Sequence, residues 1–149
     1  MRKIDSIVVH CTATNPSWYA DKSAEDAVTE IRRWHTQERG WSDIGYHFVI
    51  SRKGEIADGR PVERSGAHTR GFNKGSIGVA ICGGRGGCAD DEFLDNYTEE
   101  QATSLRKLLD QLHEDYNIKW VKGHSDFANK ACPCFNVKEW LNKENINVA

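Results

Sequence analysis

His10, His124 and Cys132 are the residues whose types best suit metal chemistry in this sequence. His10 ends the strand-like run at 4–10, His124 lies in Lys-Gly-His-Ser-Asp at 122–126, and Cys132 lies in Asn-Lys-Ala-Cys-Pro-Cys at 129–134. Two imidazoles and one thiolate give a zinc ion three protein ligands and leave the fourth tetrahedral position free for water, whereas four protein ligands would close it. That donor set suits a hydrolase. His10 lies far in sequence from His124, and the set includes no Cys-x-x-Cys or His-x-x-x-His unit, so the spacing is unlike that of a closed zinc finger and suggests a cavity built by the fold. Each residue alone has an ordinary reading: a histidine satisfied by its neighbours, or a small buried thiol beside Pro133. Cys134 also competes, because residues two apart in an extended segment point to the same side.

The elements that must carry these residues follow from periodicity. Residues 4–11 read as a strand buried on both faces, with Ile4, Ile7, Val8 and Val9 leaving little polar alternation. A period of two sends His10 and Cys11 to opposite sides. Ser23 opens a helix expected to run to about Glu38, with Ala24, Ala27, Val28, Ile31 and Trp34 or His35 at helical spacing. Tyr46–Ser51 and Glu55–Arg60 form an expected hairpin, Ser76–Cys82 a central strand, and Ser65–Lys74 a polar loop between them. Thr98 and Gln101 make a capping box for a helix burying Ala102, Leu105, Leu108, Leu109, Leu112 and Tyr116. Trp120 and Val121 suggest a short strand feeding His124, residues 125–135 a loop, and Asn136 the cap of a last helix carrying Val137, Trp140 and Leu141. The expectation is one α/β domain over residues 1–149, a central mixed sheet flanked by helices.

Composition narrows the function classes. Twenty Lys and Arg against twenty-two Asp and Glu give a net charge of −2, which offers no broad positive field for nucleic acid or an anionic membrane. No run is long and apolar enough to span a bilayer, and the first residues lack the pattern of a signal peptide. Synthesis in the cytoplasm, with action on an outside substrate after release or export, is the corresponding expectation, for a monomer. Five cysteines are an odd number for a disulfide framework, so reduced thiols are the default; Cys82 and Cys88 bracket a Gly-rich loop and could pair under oxidation.

Longer motifs carry a resemblance. Val-Val-His-Cys-Thr-Ala-Thr at 8–14, the run from Trp34 to Ile50, Gly-Ala-His-Thr-Arg-Gly-Phe-Asn at 66–73, Ser-Ile-Gly-Val at 76–79 and the run from His124 to Pro133 resemble the zinc-dependent N-acetylmuramoyl-L-alanine amidases, the phage-lysozyme-like enzymes related in fold to peptidoglycan recognition proteins. The resemblance implies one zinc per chain on His10, His124 and Cys132, catalytic helpers at Tyr46 and Lys130, and peptidoglycan as substrate. It places His68 on the groove wall as a substrate contact, with Asn73 beside it. Tyr46 is expected to open a strand and project its phenol toward the metal site, with His47 facing away. Lys130, two residues before the thiolate, is expected to stabilise a developing oxyanion. Two other classes stay open: a peptidoglycan-binding module without catalysis, and a Cys-His hydrolase with Cys132 or Cys11 as nucleophile.

Overall fold

The computed structural model describes residues 2–146; the remaining ends of the expected 1–149 domain lie outside the described residues. Five strands form one mixed sheet: β1 (Ser6–Cys11), β2 (Phe48–Ile50), β3 (Ile56–Asp58), β4 (Ser76–Ile81) and β5 (Trp120–Gly123), in the order β3-β2-β4-β1-β5. β2, β4, β1 and β5 run parallel, and β3 closes one edge antiparallel to β2. The helices are α1 (Ala24–Arg33), α2 (Phe93–Asn96), α3 (Glu99–Asp115) and α4 (Val137–Lys143).

Parallel strands covered on both faces need apolar residues at nearly every position, and β1 and β4 are buried at all six residues each. One face of the sheet packs Ile7, Val9, Cys11, Ile77, Val79 and Ile81 with α3 and α4 residues such as Leu105, Leu109 and Trp140. The other packs Val49, Ala57 and Ala80 with Ala27, Val28 and Ile31 of α1. β4 therefore alternates large residues on the α3 side with Ser76, Gly78 and Ala80 on the other.

The helix ends follow the capping residues. Ser23 Oγ accepts from Asp26 N–H, Thr98 and Gln101 satisfy one another's backbone N–H groups, and Asn136 Oδ1 accepts from Glu139 N–H, which answers the free donors that open a helix. The helix expected to reach Glu38 is α-helical only to Arg33; Trp34–Glu38 continues as a π-helical turn in which Arg39 N–H reaches back to Trp34 O. The first strand starts at Ser6 rather than residue 4. The expected hairpin forms, but its regular ladder is shorter, covering Phe48–Ile50 against Ile56–Asp58. α2 was not expected; Phe93 within it stacks on Trp140 at 5.5 Å and meets Phe135 at 5.0 Å.

Candidate metal centre

His10 sits near the C-terminal end of β1, and His124 follows directly on the C-terminal end of the adjacent parallel strand β5. The crevice outside the carboxyl ends of parallel strands is where open α/β sheets place ligands. Cys132 comes from the loop after β5, and Ser125 N–H donates to Cys132 O at 2.8 Å, tying the turn of His124 to the thiol segment. Gly123 makes this packing possible: a Cβ there would lie 2.8 Å from Pro133 Cδ.

The three donor residues meet. Their ligand atoms all lie within 4.8 Å of one another, and Cys132 Sγ is 3.9 Å from His10 Nδ1. A tetrahedral zinc with bonds of about 2.3 Å to sulfur and about 2.0 Å to nitrogen holds such a pair roughly 3.6 Å apart, so donor chemistry and spacing both fit that ion. Cys134 does not compete. Its φ of 67° turns the chain out of the extended form, and its buried Sγ donates to Gly84 O at 3.3 Å on the core side. All five cysteines are free, with Cys82 buried and Cys88 exposed.

Electrostatics favour the ligating forms of the imidazoles. Burial, then the charges of His68, His124 and Lys130, hold His10 well below the usual histidine range. Burial and the Lys130 charge lower His124 as well. The Cys132 thiol is pushed up by its hydrogen bond with the Cys11 thiol and by burial, while Cys11 N–H donates to Cys132 Sγ at 3.1 Å; a dication beside the sulfur would tip that balance to the thiolate.

A cavity of about 290 Å³ opens over the three donors, and Tyr46, Lys130 and His35 help to line it. Tyr46 lies two residues before β2 rather than within it. Its backbone is nevertheless fixed, because Arg60 N–H donates to Tyr46 O at 2.9 Å while Gly45 N–H donates to His35 Nδ1 at 2.8 Å. The Tyr46 ring centroid is 5.3 Å from that of His10, and His47 turns to Gly78 and Arg64 instead. Burial raises the Tyr46 phenol above its ordinary value, so it stays a hydrogen-bond donor. Lys130 is exposed at the mouth.

His68 is among the residues that line the cavity, and both His68 and Asn73 make bonds within the fold as well. His68 is only 8% exposed, and its Nδ1 lies 2.9 Å from His10 Nε2, so the ring also backs the ligand. Asn73 Oδ1 accepts from His68 N–H at 2.9 Å and Thr69 N–H at 2.8 Å; the carboxamide is committed to the loop's own backbone. Two supports had no reading at all. Arg60, buried, donates to Ile44 O, Ser65 O and Asp43 O and so clamps the segment under Tyr46. Thr69 Oγ1 reaches His10 Nε2 at 3.1 Å. The π-helical turn also carries a role for His35, a residue that helical spacing marks only as core edge.

The buried histidines predict a pH effect on stability. Burial lowers His35 and His47 to about 4 and His68 to about 3. Above the unfolded value of about 6.5 both states are neutral; below it the unfolded chain binds protons that the folded chain refuses, so stability falls as pH drops from about 6.5 toward about 4. His47, with 1% exposure, contributes at most about 3 kcal/mol to that loss. Urea unfolding of metal-free protein between pH 7 and 4 should show the decline. His47→Asn, whose Oδ1 can still accept from Gly78 N–H, should lessen the slope by about one proton. An unchanged slope would remove His47 from the account.

The comparisons with known proteins agree with this geometry. A model of the N-acetylmuramoyl-L-alanine amidase family matches residues 1–135. The endolysin of Escherichia phage T7 is 42% identical over 144 residues, covering 95% of this chain and 88% of the relative. The endolysin N-acetylmuramoyl-L-alanine amidase LysCS from Clostridium intestinale superposes with a TM-score of 0.75 at 33% identity, over 98% of this chain and 86% of that one. Drosophila PGRP-LB reaches a TM-score of 0.77 at 21% identity, over 100% of this chain and 88% of that one, a likeness of fold alone. Among the described residues no helix is long and apolar enough to cross a membrane.

Proposed function

Since the chain belongs to the N-acetylmuramoyl-L-alanine amidase family, we propose that it cleaves the amide between the lactyl group of N-acetylmuramic acid and the L-alanine of the peptide stem, with one zinc ion held by His10, His124 and Cys132. The observation that carries this reading is the convergence of two histidines and a thiol, separated by up to 122 positions, within one cleft beside Tyr46 and Lys130. Zinc would supply a Lewis acid and a water whose pKa falls from 15.7 to about 7.

The chain's own groups supply the rest. Neutral His10 and His124 present ring nitrogens to the cation, and Cys11 N–H supports the thiolate of Cys132. Tyr46, held protonated by burial, donates a hydrogen bond to the oxygen or nitrogen that gains charge as the amide breaks. Lys130 at the mouth adds a positive charge where the oxyanion develops. A binding module without catalysis has no use for this donor set. Burial argues against a nucleophilic Cys11, since the residue is 4% exposed and packs with the core on the α3 face.

Purified peptidoglycan tests the proposal. Digestion should release new free L-alanine amino termini without new reducing sugar ends, stop after chelation and return on adding zinc. New reducing ends would mark a glycosidase, chelator-resistant turnover would point to the thiol, and binding without product would leave only a recognition module.

A further inference from the structure

The groove-wall role expected of His68 leaves its actual bonds unexplained, and their directions carry more than packing. His10 directs Nδ1 toward Cys132 Sγ at 3.9 Å, so its Nε2 points away from the metal position, to His68 Nδ1 at 2.9 Å and Thr69 Oγ1 at 3.1 Å. A neutral imidazole that ligates through Nδ1 carries its proton on Nε2 and needs an acceptor there. His68 Nδ1 can accept only if the proton of His68 sits on its Nε2, and Ser76 Oγ lies 3.3 Å from that atom. The Ser76 hydroxyl proton is in turn committed to Phe72 O at 2.6 Å, which leaves the oxygen's lone pairs for His68.

The chain thus has one consistent direction: His10 to His68 to Ser76 to the Phe72 carbonyl. In the reverse direction His68 would donate to His10 Nε2, the His10 proton would move to Nδ1, and the lone pair facing Cys132 would be lost. His68 Nε2 would then need a donor, and the Ser76 proton is already spent.

The surroundings hold this arrangement. Thr69 Oγ1 stands 2.9 Å from His68 Nδ1, beside the same proton. Asn73 fixes the 68–69 backbone through its two accepted bonds. The ring lies directly against β4, where a Cβ on Gly78 would fall 2.5 Å from His68 Cγ. His10, His68, Thr69 and Ser76 are all buried, which strengthens the hydrogen bonds between them.

We propose that His68, oriented by Ser76, is a positioning residue that fixes His10 in the tautomer offering Nδ1 to the metal, and thereby sets the zinc affinity of the site. The inference rests on the zinc reading above. Its test is the zinc dissociation constant, measured near neutral pH by competition with a chromophoric chelator, for the wild-type chain, His68→Ala, His68→Asn, Ser76→Ala and the His68→Ala/Ser76→Ala pair.

His68→Ala should weaken zinc binding about 10- to 100-fold, the range for a lost outer-shell partner of a ligating histidine. His68→Asn, whose Oδ1 can take the place of Nδ1 as acceptor, should recover most of that loss. Ser76→Ala should weaken binding roughly fivefold when His68 is present, and have no further effect once His68 is alanine, because Ser76 acts through the ring. A residue that merely filled space would give additive losses and no rescue by asparagine.

Wild-type affinity in Ser76→Ala, or the same Ser76→Ala effect in both backgrounds, overturns the inference even if His68→Ala fails to fold. Wild-type protein that binds no zinc would instead bring down the zinc reading, and this inference with it.

Discussion

Alanine at His124 or Cys132 is expected to abolish retention of zinc and lower amide hydrolysis on the order of a thousandfold or more, since a catalytic metal contributes several kcal/mol of transition-state stabilisation. The reason lies in the donor count. With three protein ligands already at the minimum for a site that keeps a water position, loss of one leaves two, too few to hold the ion against solvent. His124 is the cleanest of the three to replace, because it is partly exposed on a short turn and its removal opens no core cavity.

His10→Ala should show the same loss together with a lower unfolding free energy, by about 2 kcal/mol or more. His10 is 1% exposed, and its removal both empties a buried space and strands the polar atoms of His68 and Thr69. Cys134→Ala is the control. Its sulfur faces Gly84 O rather than the donors, so metal content should stay at one zinc per chain. The measurement is metal analysis and hydrolysis on the same samples after exhaustive dialysis. A Cys132→Ala protein that keeps both, beside a Cys134→Ala protein that loses them, would reverse the assignment of the thiolate.

The reach of sequence reasoning here divides by the range of the interaction. N-cap residues at Ser23, Thr98 and Asn136 act locally, and the helices begin where those residues indicate. The continuous apolar runs at β1 and β4 could be read because a strand buried on both faces has little polar alternation. The meeting of His10 with residues more than 110 positions away is a product of strand order, which no local pattern encodes; only the longer motifs pointed to it.

What stayed hidden was the layer beneath the ligands. One signal was present in the sequence: β4 alternates Ile77, Val79 and Ile81 with Ser76, Gly78 and Ala80, and three small residues on one face of a central strand mean that something bulky lies against it. That something includes the His68 ring over Gly78. The period of two misled at Cys134 for a related reason, since it assumes an extended chain and the left-handed residue there ends that assumption. At Tyr46 it fared better. Although the regular ladder stops at Phe48, hydrogen bonds from Gly59 N–H to His47 O and Arg60 N–H to Tyr46 O continue the pairing far enough to keep the two side chains divergent.

Tyr46 and Lys130 allow chemistry to be separated from metal binding. Tyr46→Phe removes one hydroxyl from a ring held by packing, with its backbone carbonyl bonded to Arg60 and its centroid 5.3 Å from that of His10. Lys130→Ala removes an ammonium from an exposed residue. Both proteins should therefore fold normally and bind one zinc, and both should lose about a hundredfold or more in turnover, the usual size for a missing acid-base or oxyanion group. The two losses should differ in kind. Burial holds the Tyr46 phenol protonated, so it acts by donation, and its absence should lower kcat with little change in KM. Lys130 acts by charge at the cleft mouth, where its field already lowers His10 and His124, so only the charge should matter: Lys130→Arg should retain far more turnover than Lys130→Gln. Steady-state kinetics on a soluble muramoyl peptide, with zinc measured in parallel, decide both points. Turnover near wild type in Tyr46→Phe would return the ring to a packing role, and equal losses in Lys130→Arg and Lys130→Gln would show that the position needs the shape of lysine rather than its charge.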